Sequence, residues 1–157
     1  VQGGLYNTLI RALQQFDLAD AFGESKIPLL VLNVTSPLVP DQIANFCLNK
    51  RSVLVMEEGQ PEYIEQEIAT LLRRRDIQTP LHGKDWLPQG GEYTAEAMAQ
   101  GLQSWSERYL PQTPVAAQAA QWLQDNRARR LAVAEQLKAR GQTLPAMKPF
   151  YFSKVKA

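Results

Sequence analysis

The chain has 157 residues, 45% of them hydrophobic, which is enough for one domain with a buried core and excludes global disorder. Seventeen Lys and Arg against sixteen Asp and Glu leave a formal net charge of +1, so no overall field argues for nucleic acid or for a basic partner. The single cysteine, Cys47, and single histidine, His82, exclude an internal disulfide, a cluster or zinc site built on this chain's own thiolates, and a His-pair metal site.

At the start of the chain, Gly3-Gly4 leads into Leu5, Leu9, Ala12, Leu13 and Phe16, a helical spacing of apolar positions. A Gly-Gly turn into a helix normally follows a strand, so the expectation is a domain fragment whose upstream strand is missing. Ile27 to Val34 is a short, continuous apolar run, as in a strand buried on both faces, with Pro28 near its start where a lost donor matters least. Pro40 then suits the first turn of a short helix carrying Ile43, Phe46 and Cys47 on one side.

Ser52 to Glu57 reads as a second buried strand. After Glu58-Gly59-Gln60, Pro61 and Glu62 open a helix with Ile64, Ile68, Leu71 and Leu72 inward and Arg73, Arg74 and Arg75 at its end, in accord with the helix dipole. Ile77 to Leu81 is a weaker third strand, interrupted by Pro80. Strands alternating with helices predict an α/β sandwich built on a parallel, helix-covered sheet.

Beyond His82-Gly83-Lys84-Asp85 the pattern is helical only. Thr94 to Tyr109 places Ala97, Met98, Gly101, Leu102 and Trp105 inward, and Pro111 and Pro114 separate it from a long helix over Pro114 to Ala139. That helix is weakly amphipathic between Gln124 and Arg130, so it is expected to project and take its apolar cover from another domain. Gly141 to Ala157 reads as linker. The expected division is an α/β domain over 1–110 and a helical C-terminal extension over 111–157.

The longest apolar stretches, Pro28 to Leu32 and Val53 to Met56, fall far below the roughly 18 residues of a membrane span. No basic segment followed by a hydrophobic one opens the chain, so a soluble, cytoplasmic protein is expected.

In open parallel sheets ligands collect beyond the carboxyl ends of the strands. That rule selects Thr35 and Ser36 after the first apolar run and Glu57 and Glu58 after the second as candidate ligand-facing residues. Adjacent strand residues point to opposite faces, which argues against a catalytic pair and for Glu57 completing the strand while Glu58 is solvated or caps a helix. Gly3-Gly4 could cradle a phosphate, yet Leu5, Tyr6 and Asn7 follow where a dinucleotide fingerprint needs glycine, which favours a tight turn. Cys47 suits a core position, His82 a surface loop without a partner, and the Arg73–Arg75 and Arg127–Arg130 clusters solvated helix faces. Trp86 and Trp122 are candidate docking residues; Trp105 fits the core.

The segments Gly3 to Asn7, Val31 to Pro40 and above all Val53 to Glu65 resemble the alpha subunit of indolepyruvate ferredoxin oxidoreductase, in the 2-oxoacid:ferredoxin oxidoreductase superfamily. The resemblance runs from Gln2 through about Leu110. It implies a transketolase C-terminal-like domain, a three-layer α/β/α sandwich with a mostly parallel sheet, lying between two thiamine-diphosphate-binding domains of an enzyme that oxidatively decarboxylates arylpyruvates to acyl-coenzyme A. Electrons pass through iron–sulfur clusters to ferredoxin. In such an enzyme other domains hold the thiamine diphosphate and the clusters, so this chain is expected to bind no cofactor, to be inactive alone and to contribute no catalytic residue. Its implied partners are the other domains and subunits of the same oxidoreductase, with neither nucleic acid nor membrane among them. The resemblance departs at Leu144 to Ser153, which lacks the family's Cys-rich motif.

Overall fold

A computed structural model describes residues 1–141. Its elements are helix α1 (Tyr6–Gln14), entered through a 3-10 turn at Gly3–Leu5, then α2 (Pro40–Cys47), strand β1 (Val53–Leu54), α3 (Tyr63–Arg74), strand β2 (Leu81–His82), α4 (Ala95–Tyr109) and α5 (Val115–Gly141). The contacts separate a unit Val1–Gln124 from a second unit that begins at Asp125.

The expected three-layer α/β/α sandwich with a mostly parallel sheet is not what forms. Among the described residues helix dominates, and the one sheet is a two-stranded parallel pair, with Val53 opposite Leu81 and Leu54 opposite His82. The apolar run 27–34 forms no strand; its ladder is reduced to a single parallel bridge between Leu32 and Gln2. The reason lies in the partners: Pro28 brings no N–H, and the adjoining segment turns into helix at Gly3, ending the pairing after Leu32 N–H donates to Val1 O and Gly3 N–H to Leu32 O. Space at this junction is tight: a Cβ on Gly3 would lie 2.5 Å from Asn33 Oδ1 and 3.2 Å from Leu32 O, so a larger residue requires both neighbours to shift.

The helices follow the apolar spacing closely. Leu5, Leu9, Ala12, Leu13 and Phe16 are all buried on the inner side of α1 and its flanking turns, and Pro40 opens α2 at its first positions. Three helix ends are followed by Asp17, Asn49 and Asp76, each with φ between 54° and 60°, the left-handed conformation that Asn and Asp tolerate best among residues with a Cβ. Thr94 caps α4 by accepting the Ala97 N–H.

Two apolar clusters result. One gathers α1 and α4 with Met56, Leu87, Tyr93, Val115 and Ala119; the other gathers α2 and α3 with Leu32, Leu38 and Val55. Val55 and Met56, adjacent in the chain, therefore serve opposite clusters, as strand-like alternation requires. Within α5, Val115 and Ala119 are buried, whereas Leu131, Val133 and Leu137 are exposed. The expected linker beyond Gly141, including the departure at Leu144 to Ser153, lies outside the described residues. Among the described residues no helix is long and apolar enough to cross a membrane.

Candidate functional site

The four residues selected from the sequence are brought together. Thr35, Ser36, Glu57 and Glu58 line one cleft of about 770 Å³, joined by Gln2, Tyr63 and Arg74. The cleft opens where the chain leaves the 53–56 segment and where the 33–36 loop passes it; each loop contains a cis peptide bond, Ser36–Pro37 and Gln60–Pro61.

Glu57 is buried, 6% exposed, and its carboxylate turns inward to the start of α3. One oxygen accepts the Ile64 N–H at 2.9 Å; the other accepts Ile64 N–H and Glu65 N–H, both at 3.1 Å. These are the orphan donors of a helix N-terminus, and an anion seven residues upstream satisfies them with charge-assisted bonds. The residue at the helix boundary itself, Glu62, makes no such cap. Glu57, expected to complete the strand, is instead the cap of α3, while Glu58 is exposed and accepts the Tyr93 N–H at 2.8 Å. Glu58 N–H in turn donates to the Gln2 side chain at 3.1 Å.

Behind the carboxylates lies a buried polar cluster. Lys84, 7% exposed, donates from Nζ to Tyr93 Oη at 2.8 Å and to Pro88 O at 3.2 Å, while its backbone N–H donates to Glu65 Oε2 at 2.9 Å. Tyr93 Oη donates to Pro88 O at 2.6 Å. Burial pushes the Tyr93 hydroxyl up to about 12, with the charges of Glu57, Glu65 and Glu58 acting in the same direction, so it remains a donor. Burial also raises Glu65, against the Lys84 amide that lowers it and with the charges of Asp85, Glu62 and Glu57 adding to the rise. The cluster ties the 83–93 loop to the start of α3.

A second grouping surrounds His82. Its Nδ1 lies 2.6 Å from Asp85 Oδ2 and its Nε2 2.9 Å from Tyr109 Oη, and its ring stacks on Trp86 with centroids 3.6 Å apart. The expectation of an unpartnered surface histidine is thus corrected. For Asp85, burial raises the carboxyl, and the His82 and Gly83 hydrogen bonds more than offset it, leaving it below its ordinary value.

The remaining candidates have structural places. Gly3 N–H is consumed by Leu32 O, so the Gly-Gly turn is a tight junction and offers no amide from Gly3 to a phosphate. Cys47 is buried and free, its thiol pushed up by burial against the opposing charge of Lys50. Trp105 Nε1 donates to Ser52 Oγ at 2.8 Å, and Trp122 packs edge-on against Phe16. Arg75 pairs with Asp41, and Arg74 reaches the cleft. Among the described residues no three His, Cys, Asp or Glu side chains are grouped as a metal ion would require.

Lys84, Glu65 and Tyr93 escaped the sequence reading. The signal for Lys84 was present: it follows the parallel strand β2, Leu81–His82, as Glu57 follows β1, Val53–Leu54. Nothing in the spacing marks Tyr93, which is brought in by a loop. No protein-family model, no curated protein and no solved structure matches this chain.

Proposed function

We propose that this chain is a non-catalytic structural module of a larger enzyme, of the kind its sequence resembles: a thiamine-diphosphate-dependent indolepyruvate (2-oxoacid):ferredoxin oxidoreductase acting in the cytoplasm. The observation that carries the reading is the state of Glu57. Both of its oxygens are taken by the amides of Ile64 and Glu65, so the acid best placed at the strand end serves the fold and is not positioned to move a substrate proton. In this reading thiamine diphosphate and iron–sulfur clusters belong to other domains, which supply the decarboxylation and electron transfer. The present residues hold those domains and subunits in place, and ferredoxin meets the assembled enzyme.

The test combines activity and assembly. The isolated chain is expected to show no turnover with indolepyruvate, coenzyme A and an electron acceptor, and to form a stable complex when co-expressed with thiamine- and cluster-bearing domains of such an oxidoreductase. Turnover by the chain alone, or failure to associate with those domains, overturns the reading.

One observation favours a second reading, a small ligand-binding module or enzyme. The cleft of about 770 Å³ offers the hydroxyls of Thr35 and Ser36, the Glu58 carboxylate and the Arg74 guanidinium to one volume. Calorimetry with thiamine diphosphate, coenzyme A and nucleotides separates the two, since micromolar binding that is lost in Arg74→Ala selects the second.

A further inference from the structure

Between α1 and the 27–34 run the chain makes a tight turn that holds one aromatic side chain out in solvent. Ala19 and Ser25 form an antiparallel bridge, Asp20 N–H donates to Glu24 O at 3.0 Å, and Gly23 N–H donates to Asp20 O at 3.2 Å. Asp20 Oδ1 accepts the Phe22 N–H at 2.9 Å and the Glu24 N–H at 2.8 Å, while Gln14 Nε2 donates to Asp20 O at 2.7 Å. Gly23, at φ 87°, supplies the left-handed conformation that closes the turn. At the tip Phe22 is 97% exposed, the highest value of any large apolar side chain among the described residues. Single exposed apolar residues are common on protein surfaces. Phe22 differs in that its main chain is already fixed, so docking it costs little further ordering. Asp17, Asp20 and Glu24 in the same segment are exposed and acidic, against the one base Lys26.

The second unit carries a surface of the opposite sign. Steps of three, four and seven residues return to one side of a helix, so positions 129, 130, 133, 137 and 140 of α5 share a side. That side presents Arg129, Arg130, Val133, Leu137 and Arg140, all exposed: an apolar pair framed by three arginines and no acid. Glu135 falls on the other side, with Arg127, Leu131 and Lys138. The whole chain is segregated in the same way. Residues 1–124 hold nine Lys and Arg against fourteen Asp and Glu, and residues 125–157 hold eight against two. The near-neutral total is a cancellation between two regions of opposite charge.

We propose that the Phe22 turn of one copy of this chain docks on the Arg129–Arg140 side of α5 of a second copy, Phe22 lying across Val133 and Leu137 while the carboxylates of the turn face the arginines. The occupant is a second copy because both complements, an acidic turn with an apolar tip and a basic helix side with an apolar centre, are present on this chain. The contact joins two different surfaces, so every copy can give its turn to one neighbour and its helix to another or exchange both with a single partner. A buried aromatic contributes about 150–250 Å², which places the contact among weak associations that opposite charges steer together. The inference does not depend on the oxidoreductase reading.

The full chain is followed by sedimentation velocity from about 10 μM to about 1 mM, where weak contacts form, and its weight-average mass is expected to rise with concentration. Raising the salt from about 0.05 to about 0.5 M is expected to weaken association about fivefold by screening. Phe22→Ser and, separately, Val133→Gln with Leu137→Gln are each expected to weaken it about tenfold, with thermal unfolding unchanged because all three side chains are exposed. Mixing these two variants is expected to restore association, since each keeps the surface the other lacks. Glu24→Arg and Arg129→Glu are each expected to weaken it, and the two together in one chain to recover it. A chain that stays monomeric throughout, a mixture no more associated than its components, or association lost in the α5 variant yet untouched by Phe22→Ser, as for two α5 helices pairing with each other, would each overturn the proposal.

Discussion

The two margins of the 52–58 segment are built in opposite ways. At its carboxyl end, Glu57 meets amides seven and eight residues further along the chain, so its buried carboxylate finds its partners close by in the sequence. Along its flank, Leu54 and Met56 turn main-chain groups toward an apolar slot whose far wall comes from residues 27–32. The contrast shows that a cap needs only local sequence, whereas a ladder needs a neighbour brought from elsewhere.

The sharpest way to break this comparison is to remove the same kind of bulk from the filled and the open regions. Ile68, 5% exposed in the α2–α3 cluster, is expected to lose about 3 kcal/mol on Ile68→Ala, because a cavity adds to the lost transfer energy. Leu30 is half-buried on the slot wall, so Leu30→Ala is expected to cost only about 1 kcal/mol. Equal costs in urea unfolding would show the slot to be as tightly packed as the core.

Next in size is the corner itself. Glu57→Ala leaves two buried amide donors at the start of α3 without their anion, an expected loss of about 2–3 kcal/mol in urea unfolding, and Glu57→Gln is expected to restore part of it by returning an acceptor. A loss below about 0.5 kcal/mol would mean that α3 is capped by something else.

The smallest effect serves as a baseline far from both margins. Arg75 and Asp41 pair at 2.6 Å with side chains 44% and 78% exposed, so Asp41→Ala is expected to cost less than about 1 kcal/mol and to lose even that in high salt. A larger cost would show that this pair does more than join two solvated surfaces.

Legibility followed the same division between local and non-local partners. The apolar spacing of Leu9, Leu13, Ile64, Ile68, Met98 and Leu102 located helices because each turn makes its own hydrogen bonds. The run Ile27 to Val34 has the composition of a buried strand, but hydrophobicity reports where a segment is covered and carries no information on what its amides meet. Most of it lacks a ladder for that reason. The rule that sites gather at strand ends brought Thr35, Ser36, Glu57 and Glu58 to one cleft, yet it could not tell that Glu57 faces inward, since that depends on where α3 begins in space.

What the sequence alone determined is the inventory: the helices and their inward faces, one thiol and one imidazole, and a near-neutral charge. Tertiary structure alone decided that Lys84 and Tyr93 close over the strand ends, that His82 bridges Asp85 and Tyr109, and that the apolar runs meet as walls of a slot instead of as a broad sheet. Periodicity is a property of neighbours along the chain. Side-chain partners and strand pairing are set by residues tens of positions apart, whose approach depends on how the helices pack.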